Sequence, residues 1–143
     1  VCHRDMKPGN VLLSSRSALD SNQLKISDYG LSCVYAPGVR LTAAVGTTDY
    51  MAPEVLRRDY DPACDLWSCG VVLFLVVCGY LPFRGKDKIA TRRRIVKGSM
   101  IFREEDWRRV TESCLQVVRR LLKIAVEERL TAREVLDHSW IAI

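Results

Sequence analysis

The chain has 143 residues, 48% hydrophobic and 27% charged, with a net charge of +5 and no low-complexity tract. That length allows one domain or part of one, and the balance of apolar and charged residues excludes a fibre or a disordered tail. Much of the positive charge lies in the runs Arg92-Arg93-Arg94, Arg108-Arg109 and Arg119-Arg120, which read as solvated helix faces; without interleaved aromatics they mark no nucleic-acid site.

The six cysteines, Cys2, Cys33, Cys64, Cys69, Cys78 and Cys114, form no C-x-x-C pair, and only His3 and His138 could join them as zinc ligands. The expectation is a reduced cytoplasmic protein, with the nucleus also open, whose thiols are single and buried. Arg4, Asp5 and Lys7 interrupt any apolar run that a signal peptide would need. The most apolar stretch, "GVVLFLVVCGYL" from Gly70 to Leu81, is about half the ~20 residues that span a bilayer, so it reads as a buried helix and no membrane is expected.

In chain order, Val11 to Leu13 and Leu24 to Ser27 are short apolar runs separated by the polar turn "SSRSALDSNQ", the pattern of a small antiparallel hairpin. Such a hairpin sets Asp5 to Asn10 beside Asp28 to Gly30. Leu31 to Gly46 has no sustained periodicity and is punctuated by Pro37, Gly38 and Gly46, which predicts a mobile, irregular loop of functional length. Asp61-Pro62 then supplies a cap and a first-turn proline for a helix to about Cys78, apolar on nearly every face beyond Trp67. A helix from about Lys88 to Lys97 stops at Gly98, and another from about Glu112 to Lys123 carries Leu115, Val118, Leu121 and Leu122 on one face. Thr131 with Glu134 is a capping box for a last short helix. After the hairpin, everything regular is expected to be helical.

Three segments carry chemistry. "HRDMKPGN" brings a carboxylate, a cation and an amide oxygen together at Asp5, Lys7 and Asn10, a set suited to moving a highly charged group near a metal. "SDYG" adds a second carboxylate, Asp28, so that Asp28 and Asn10 supply hard oxygen ligands for Mg2+. "GTTDYMAPEVL" follows about twenty residues on.

In this order the three segments resemble the signature set of the eukaryotic-type serine/threonine protein kinases, in which H-R-D-L-x-x-x-N, D-F-G and A-P-E occur in sequence. The resemblance covers essentially the whole chain. It implies a protein-kinase-like fold (α+β) represented by its C-terminal lobe only, mainly α with a small β-hairpin at the catalytic loop. It also implies ATP and Mg2+ as cofactors and a protein substrate with a Ser or Thr acceptor. Asp5 would accept or orient the proton of the acceptor hydroxyl, Lys7 would steady the γ-phosphate, and Asn10 and Asp28 would hold Mg2+. Leu12 would join Lys7, Asn10 and Asp28 in binding the nucleotide. Thr47 would bond near Asp5 and Lys7 and place the acceptor, which with Lys7 marks the serine/threonine branch.

By the same resemblance Arg4 would receive a phosphate on the loop, with Thr42 the first candidate and Thr47 and Thr48 behind it; alternatively Arg4 only pairs with a nearby acid or carbonyl. Glu54 would pair with Arg129, Asp65 would anchor the backbone at His3 and Arg4, and His3 would stack with Tyr29.

Within the family the chain is similar to the calcium/calmodulin-regulated group and, inside it, to the calcium-dependent kinases of plants and protists. A calcium-sensing regulatory segment would then lie outside these residues, which hold no D-x-[DN]-x-[DN]-G loop.

The sequence departs from the family at several points. Tyr29 stands where Phe is usual, and "KIAVEER" lacks the usual Asp-Pro. Gly9 and Leu75 stand where many basophilic relatives have acids, which weakens any expectation of arginines near the acceptor. No G-x-G-x-x-G loop, V-A-I-K lysine or partner glutamate occurs. Residues 1–143 are therefore expected to be a partial kinase domain without its N-terminal lobe, inactive alone because positioning supplies most of the rate. The helix around Val71 to Val77 is expected to be short of neighbours and to expose an apolar patch. The alternative is a non-catalytic kinase-like interaction module.

Overall fold

The computed structural model describes residues 1–108 and 110–142; Arg109, part of one of the charged runs, lies outside them. Strands β1 (Val11–Leu13) and β2 (Leu24–Ile26) form the antiparallel hairpin, with Val11 opposite Ile26 and Leu13 opposite Leu24. Regular pairing stops one residue short of the expected end. Ser27 still donates to the Asn10 carbonyl from its N–H and its hydroxyl, at 2.9 and 3.1 Å.

Six α-helices follow among the described residues: α1 (Pro53–Arg57), α2 (Ala63–Cys78), α3 (Lys88–Lys97), α4 (Glu104–Trp107), α5 (Glu112–Leu121) and α6 (Ala132–Leu136). The helix-start chemistry accounts for most of their boundaries. Asp61 accepts from the Ala63 N–H at 2.8 Å at the start of α2, and Asp87 accepts from the Ala90 N–H at 2.7 Å at the start of α3. The Thr131–Glu134 capping box is made in both directions. Helix α5 ends at Leu121 rather than Lys123, because Leu122 leaves helical geometry while its N–H still reaches the Val118 carbonyl.

The core lies between α2 and the elements around it. Trp67 stacks on Phe83 with ring centroids 5.2 Å apart, and Phe74 meets Trp107 edge-on at 5.3 Å. Each such buried aromatic contributes about 2–3 kcal/mol by area alone. Helix α5 closes the core with Val117, Val118 and Leu121, and Leu130 follows it.

Helix α2 is better covered than its sequence suggests. Val71 and Phe74 are fully buried, and Val76 is the large side chain it exposes, at 74%. The broader apolar surface is instead on the hairpin, where Leu12, Leu13, Leu24 and Ile26 are all exposed.

The segment from Leu31 to Gly46 is irregular, as its composition suggests, yet it is tied at two places. Cys33 exchanges two backbone bonds with Cys2, and Leu41 does so with Tyr60. Among the described residues no helix is long and apolar enough to cross a membrane.

Candidate active site

The segment His3 to Asn10 is held from below by α2. Asp65, in the first turn of α2, accepts from the backbone N–H of His3 at 2.7 Å and of Arg4 at 2.8 Å. Arg4 has a left-handed backbone, φ 70°, a conformation that costs a non-glycine residue energy and persists only where its surroundings fix it. The two bonds to Asp65 are that fixture, and they turn the chain so that Asp5 points inward.

His3 donates from Nε2 to the Ser27 carbonyl at 3.0 Å and accepts from the Asp5 N–H at Nδ1, which defines a neutral ring tautomer. Its ring meets Tyr29 at 5.0 Å and a tilt of 60°, an inclined contact rather than the expected stack. Through His3, the position of Asp5 is coupled to the second hairpin strand.

Asp5, Lys7, Asn10 and Thr47 meet at one point. Lys7 Nζ donates to Asp5 Oδ2 at 2.6 Å and to Thr47 Oγ1 at 3.0 Å. The Thr47 N–H donates to Asp5 Oδ1 at 2.8 Å. Asn10 Nδ2 donates to the Asp5 carbonyl at 2.8 Å and more weakly to Oδ2 at 3.4 Å. Asp5 and Asn10 are buried, whereas Lys7 and Thr47 are half-buried.

Burial pushes the Asp5 carboxyl up, but the bonds from Lys7 and Thr47 oppose it and win, holding Asp5 below the usual carboxylate range. The group is therefore an ionised acceptor ready to take a hydrogen bond.

Gly46 makes the approach of Thr47 possible. Its φ is +108°, and a Cβ there would lie 2.3 Å from the Arg4 carbonyl oxygen. Only glycine lets residues 46–47 lie against Arg4 and Asp5.

Asp28 follows Ser27, whose bonds to Asn10 bring the two loops together. It is exposed, has φ 61°, and one carboxylate oxygen accepts a long 3.4 Å bond from the Gly30 N–H. Asn10 directs its NH2 toward Asp5, leaving its Oδ1 to accept. An amide oxygen and a lightly engaged carboxylate on adjoining loops fit a hard cation such as Mg2+. Leu12 lies on β1 with 52% of its surface exposed, outside the Asp5 cluster.

A second group of possible metal ligands, Cys2, Cys64 and Asp65, is buried beneath the loop. Both Asp65 oxygens are engaged by His3 and Arg4. The Cys2 thiol, 3.6 Å away, and burial push the Cys64 thiol up, and with both Asp65 oxygens committed to the loop backbone the group serves to anchor His3 and Arg4.

Arg4 donates to the Leu31 carbonyl at 2.6 Å and to the Tyr60 hydroxyl at 3.4 Å; Tyr60 in turn donates to the Ala43 carbonyl at 2.7 Å. The carbonyl partner open in the sequence reading is thus made, and Thr42 sits next to the far end of this chain of bonds. Tyr60 was not anticipated from sequence, since a tyrosine between two aspartates carries no local signal. Arg40 was missed too: it reaches Asp59 at 2.7 Å and Asp61 at 2.9 Å, tying the loop to the start of α2.

A helical lobe topped by a two-stranded hairpin, with an Asp-Lys-Asn loop at one side of the hairpin and an Asp-Tyr-Gly turn at the other, is the C-terminal lobe of a protein kinase domain. A family profile described as "Protein kinase domain" matches residues 1–141, and the chain belongs to that family. Calcium-dependent protein kinase 9 of Oryza sativa subsp. japonica is 43% identical over 141 residues, covering 99% of this chain and 24% of the relative. Calcium-dependent protein kinase 13 of Arabidopsis thaliana is 40% identical over the same length, covering 99% of this chain and 26% of the relative. The chain thus spans about a quarter of the length of the curated relatives it matches.

Proposed function

We propose that residues 1–143 are part of the catalytic domain of a serine/threonine protein kinase, which transfers the γ-phosphate of ATP to a Ser or Thr hydroxyl of a protein substrate. The observation that carries this reading is the bridge made by Lys7, 2.6 Å from Asp5 and 3.0 Å from Thr47. It puts one cation between the carboxylate that would meet the acceptor hydroxyl and the threonine that would position the acceptor chain.

Asp5, held ionised, would accept the hydrogen bond of the acceptor hydroxyl and orient its oxygen for in-line attack; the proton would pass to Asp5 as the new oxygen–phosphorus bond forms and the bond from the γ-phosphorus to the β–γ bridging oxygen breaks, releasing ADP. Lys7 stands where negative charge on the transferring group needs a counter-charge. Asn10 Oδ1 and Asp28 would hold Mg2+, which supplies charge neutralisation of the phosphates when bound. Leu12 would contribute apolar contact to the nucleotide.

Residues 1–143 alone hold one wall of such a cleft, with no glycine-rich loop and no V-A-I-K lysine. Phosphoryl transfer relies on positioning from both walls, so these residues by themselves are poor catalysts. The exposed Leu12, Leu13, Leu24 and Ile26 favour a second reading, in which this face binds a partner and no transfer occurs. A calcium-sensing regulatory segment outside these residues, and a reducing cytoplasmic location in keeping with free cysteines, complete the proposal.

Asp5→Asn in the native full-length protein separates the two. The kinase reading expects transfer to fall at least about 1000-fold in a protein that still folds, its melting temperature lowered by the loss of the ionised bonds of Asp5 to Lys7 and Thr47, whereas retained transfer removes Asp5 from the mechanism. A wild-type protein that transfers no phosphate but binds partners through the hairpin supports the second reading.

A further inference from the structure

A cavity of about 370 Å3 opens beside Thr47 and is walled by Thr47, Asp49, Arg84, Lys86, Lys88 and Thr91 among others. Its basic wall is the turn between α2 and α3. That turn is tied to the start of α3: Thr91 Oγ1 accepts from the Gly85 N–H at 3.0 Å and donates to the Asp87 carbonyl at 3.0 Å. A Cβ on Gly85 would lie 2.6 Å from the Ala90 Cβ, so the turn packs as closely as a glycine permits.

Arg84, Lys86 and Lys88 are exposed, and none makes an ion pair among the described residues. Two acids also line the cavity. Asp87 has one oxygen engaged with the Ala90 N–H, and Asp49 lies on the Thr47 side. Arg84 also borders a neighbouring cavity of about 540 Å3 whose lining includes Tyr50, Leu75 and Arg103 and no carboxylate. The surface running away from Thr47 over Arg84 is therefore cationic.

We infer that this surface binds an anionic side chain of the protein substrate, a carboxylate or a phosphate, within about three residues of the acceptor. The inference rests on the kinase reading above. An acceptor hydroxyl at Asp5 lies next to Thr47, whose N–H is 2.8 Å from the Asp5 carboxylate. An extended peptide advances about 3.3 Å per residue, so side chains one to three places away must pass over the cavity. Arginines in the substrate would meet Arg84, Lys86 and Lys88 there, which outnumber Asp49 and the partly engaged Asp87, and beyond them Arg103, where Leu75 offers no compensating acid.

The test uses the native full-length protein and four serine peptides, flanked by Glu, by phosphoserine, by Arg or by Ala. Transfer and binding, the latter by fluorescence anisotropy, are both measured. An anionic flank is expected to raise kcat/KM at least tenfold over Ala, mainly through KM, and the better of Glu and phosphoserine identifies the natural source. The double variant Arg84→Glu, Lys86→Glu lowers the Glu-to-Arg peptide ratio at least tenfold, while Lys97→Glu, the same kind of charge change at the far end of α3, leaves that ratio unaltered. Preference for the Arg peptide, equal use of all four, or an unchanged ratio in the double variant overturns the inference. If no peptide is phosphorylated, the kinase reading fails, and the anisotropy ratio still decides the pocket by the same criteria.

Discussion

Arg129 holds Glu54 by two parallel hydrogen bonds, Nη1 to Oε1 at 2.5 Å and Nη2 to Oε2 at 3.1 Å, joining residues 75 apart in sequence. Both side chains are buried, and Arg129 also donates to the carbonyls of Ala63 and Lys123. The pair therefore ties α1, the start of α2 and the turn after α5 into one unit under the Thr47 segment. Removing one partner strands the other charge in the interior. Arg129→Met is expected to destabilise the lobe by about 3–5 kcal/mol, read as a drop in the urea midpoint followed by far-UV circular dichroism. A loss below about 1 kcal/mol would mean that the pair is dispensable.

Gly46 is a steric requirement for the site. Gly46→Ala would drive a methyl group into the Arg4 carbonyl and displace Thr47 from Asp5. Transfer is expected to fall about 100-fold or more, with about 1–3 kcal/mol of lost stability. Kinetics and thermal melting of the variant check both, and near-normal activity would show that the site tolerates a shifted Thr47.

The ionisation of Asp5 fixes a pH dependence. Its carboxyl is held below the ordinary range, so the stabilisation it provides is fully present above the unfolded-state value of about 3.9 and is lost only as pH falls through the lower folded-state value. No titration of Asp5 is expected between pH 5 and 8. Carboxyl-labelled NMR would follow it directly. A midpoint above pH 5 would contradict the bond pattern with Lys7 and Thr47.

The thiols of α2 are expected to be inert. Burial, helped by Asp65, pushes Cys69 up to about 11, and burial followed by Asp106 pushes Cys78 up to about 11. Alkylation at pH 7.5 in the folded protein should leave both largely unmodified, with full reaction after denaturation. Rapid native labelling of either by mass spectrometry would show that the core opens locally.

Much of this was legible in the sequence because the signals are local. The Asp61 and Thr131 caps, Gly98 at the end of α3 and the apolar hairpin runs determine structure within a few residues, whereas the Asp87 cap of α3 was not anticipated. The short helices α1 and α4 were not anticipated, since four or five residues give no periodicity to read. The Arg4–Tyr60–Ala43 chain and the Arg40 fork join segments far apart in sequence, so no local pattern announces them. The burial of Val71 and Phe74 was underestimated for the same reason: Phe83, Trp107 and α5 fold back over α2. The grouping of Asp5, Lys7, Asn10 and Thr47 is a case between the two. Three of these lie within one short motif, whereas Thr47 enters only because Gly46 permits its contact with Asp5.

The central claim is transfer to a Ser or Thr hydroxyl, and phosphoamino-acid analysis tests it most directly. The native full-length protein is incubated with γ-labelled ATP, Mg2+ and a peptide library holding Ser, Thr and Tyr acceptors, and the labelled peptides are hydrolysed. The account predicts label on phosphoserine and phosphothreonine. Label confined to phosphotyrosine, or no incorporation by a folded protein that binds nucleotide, would contradict it.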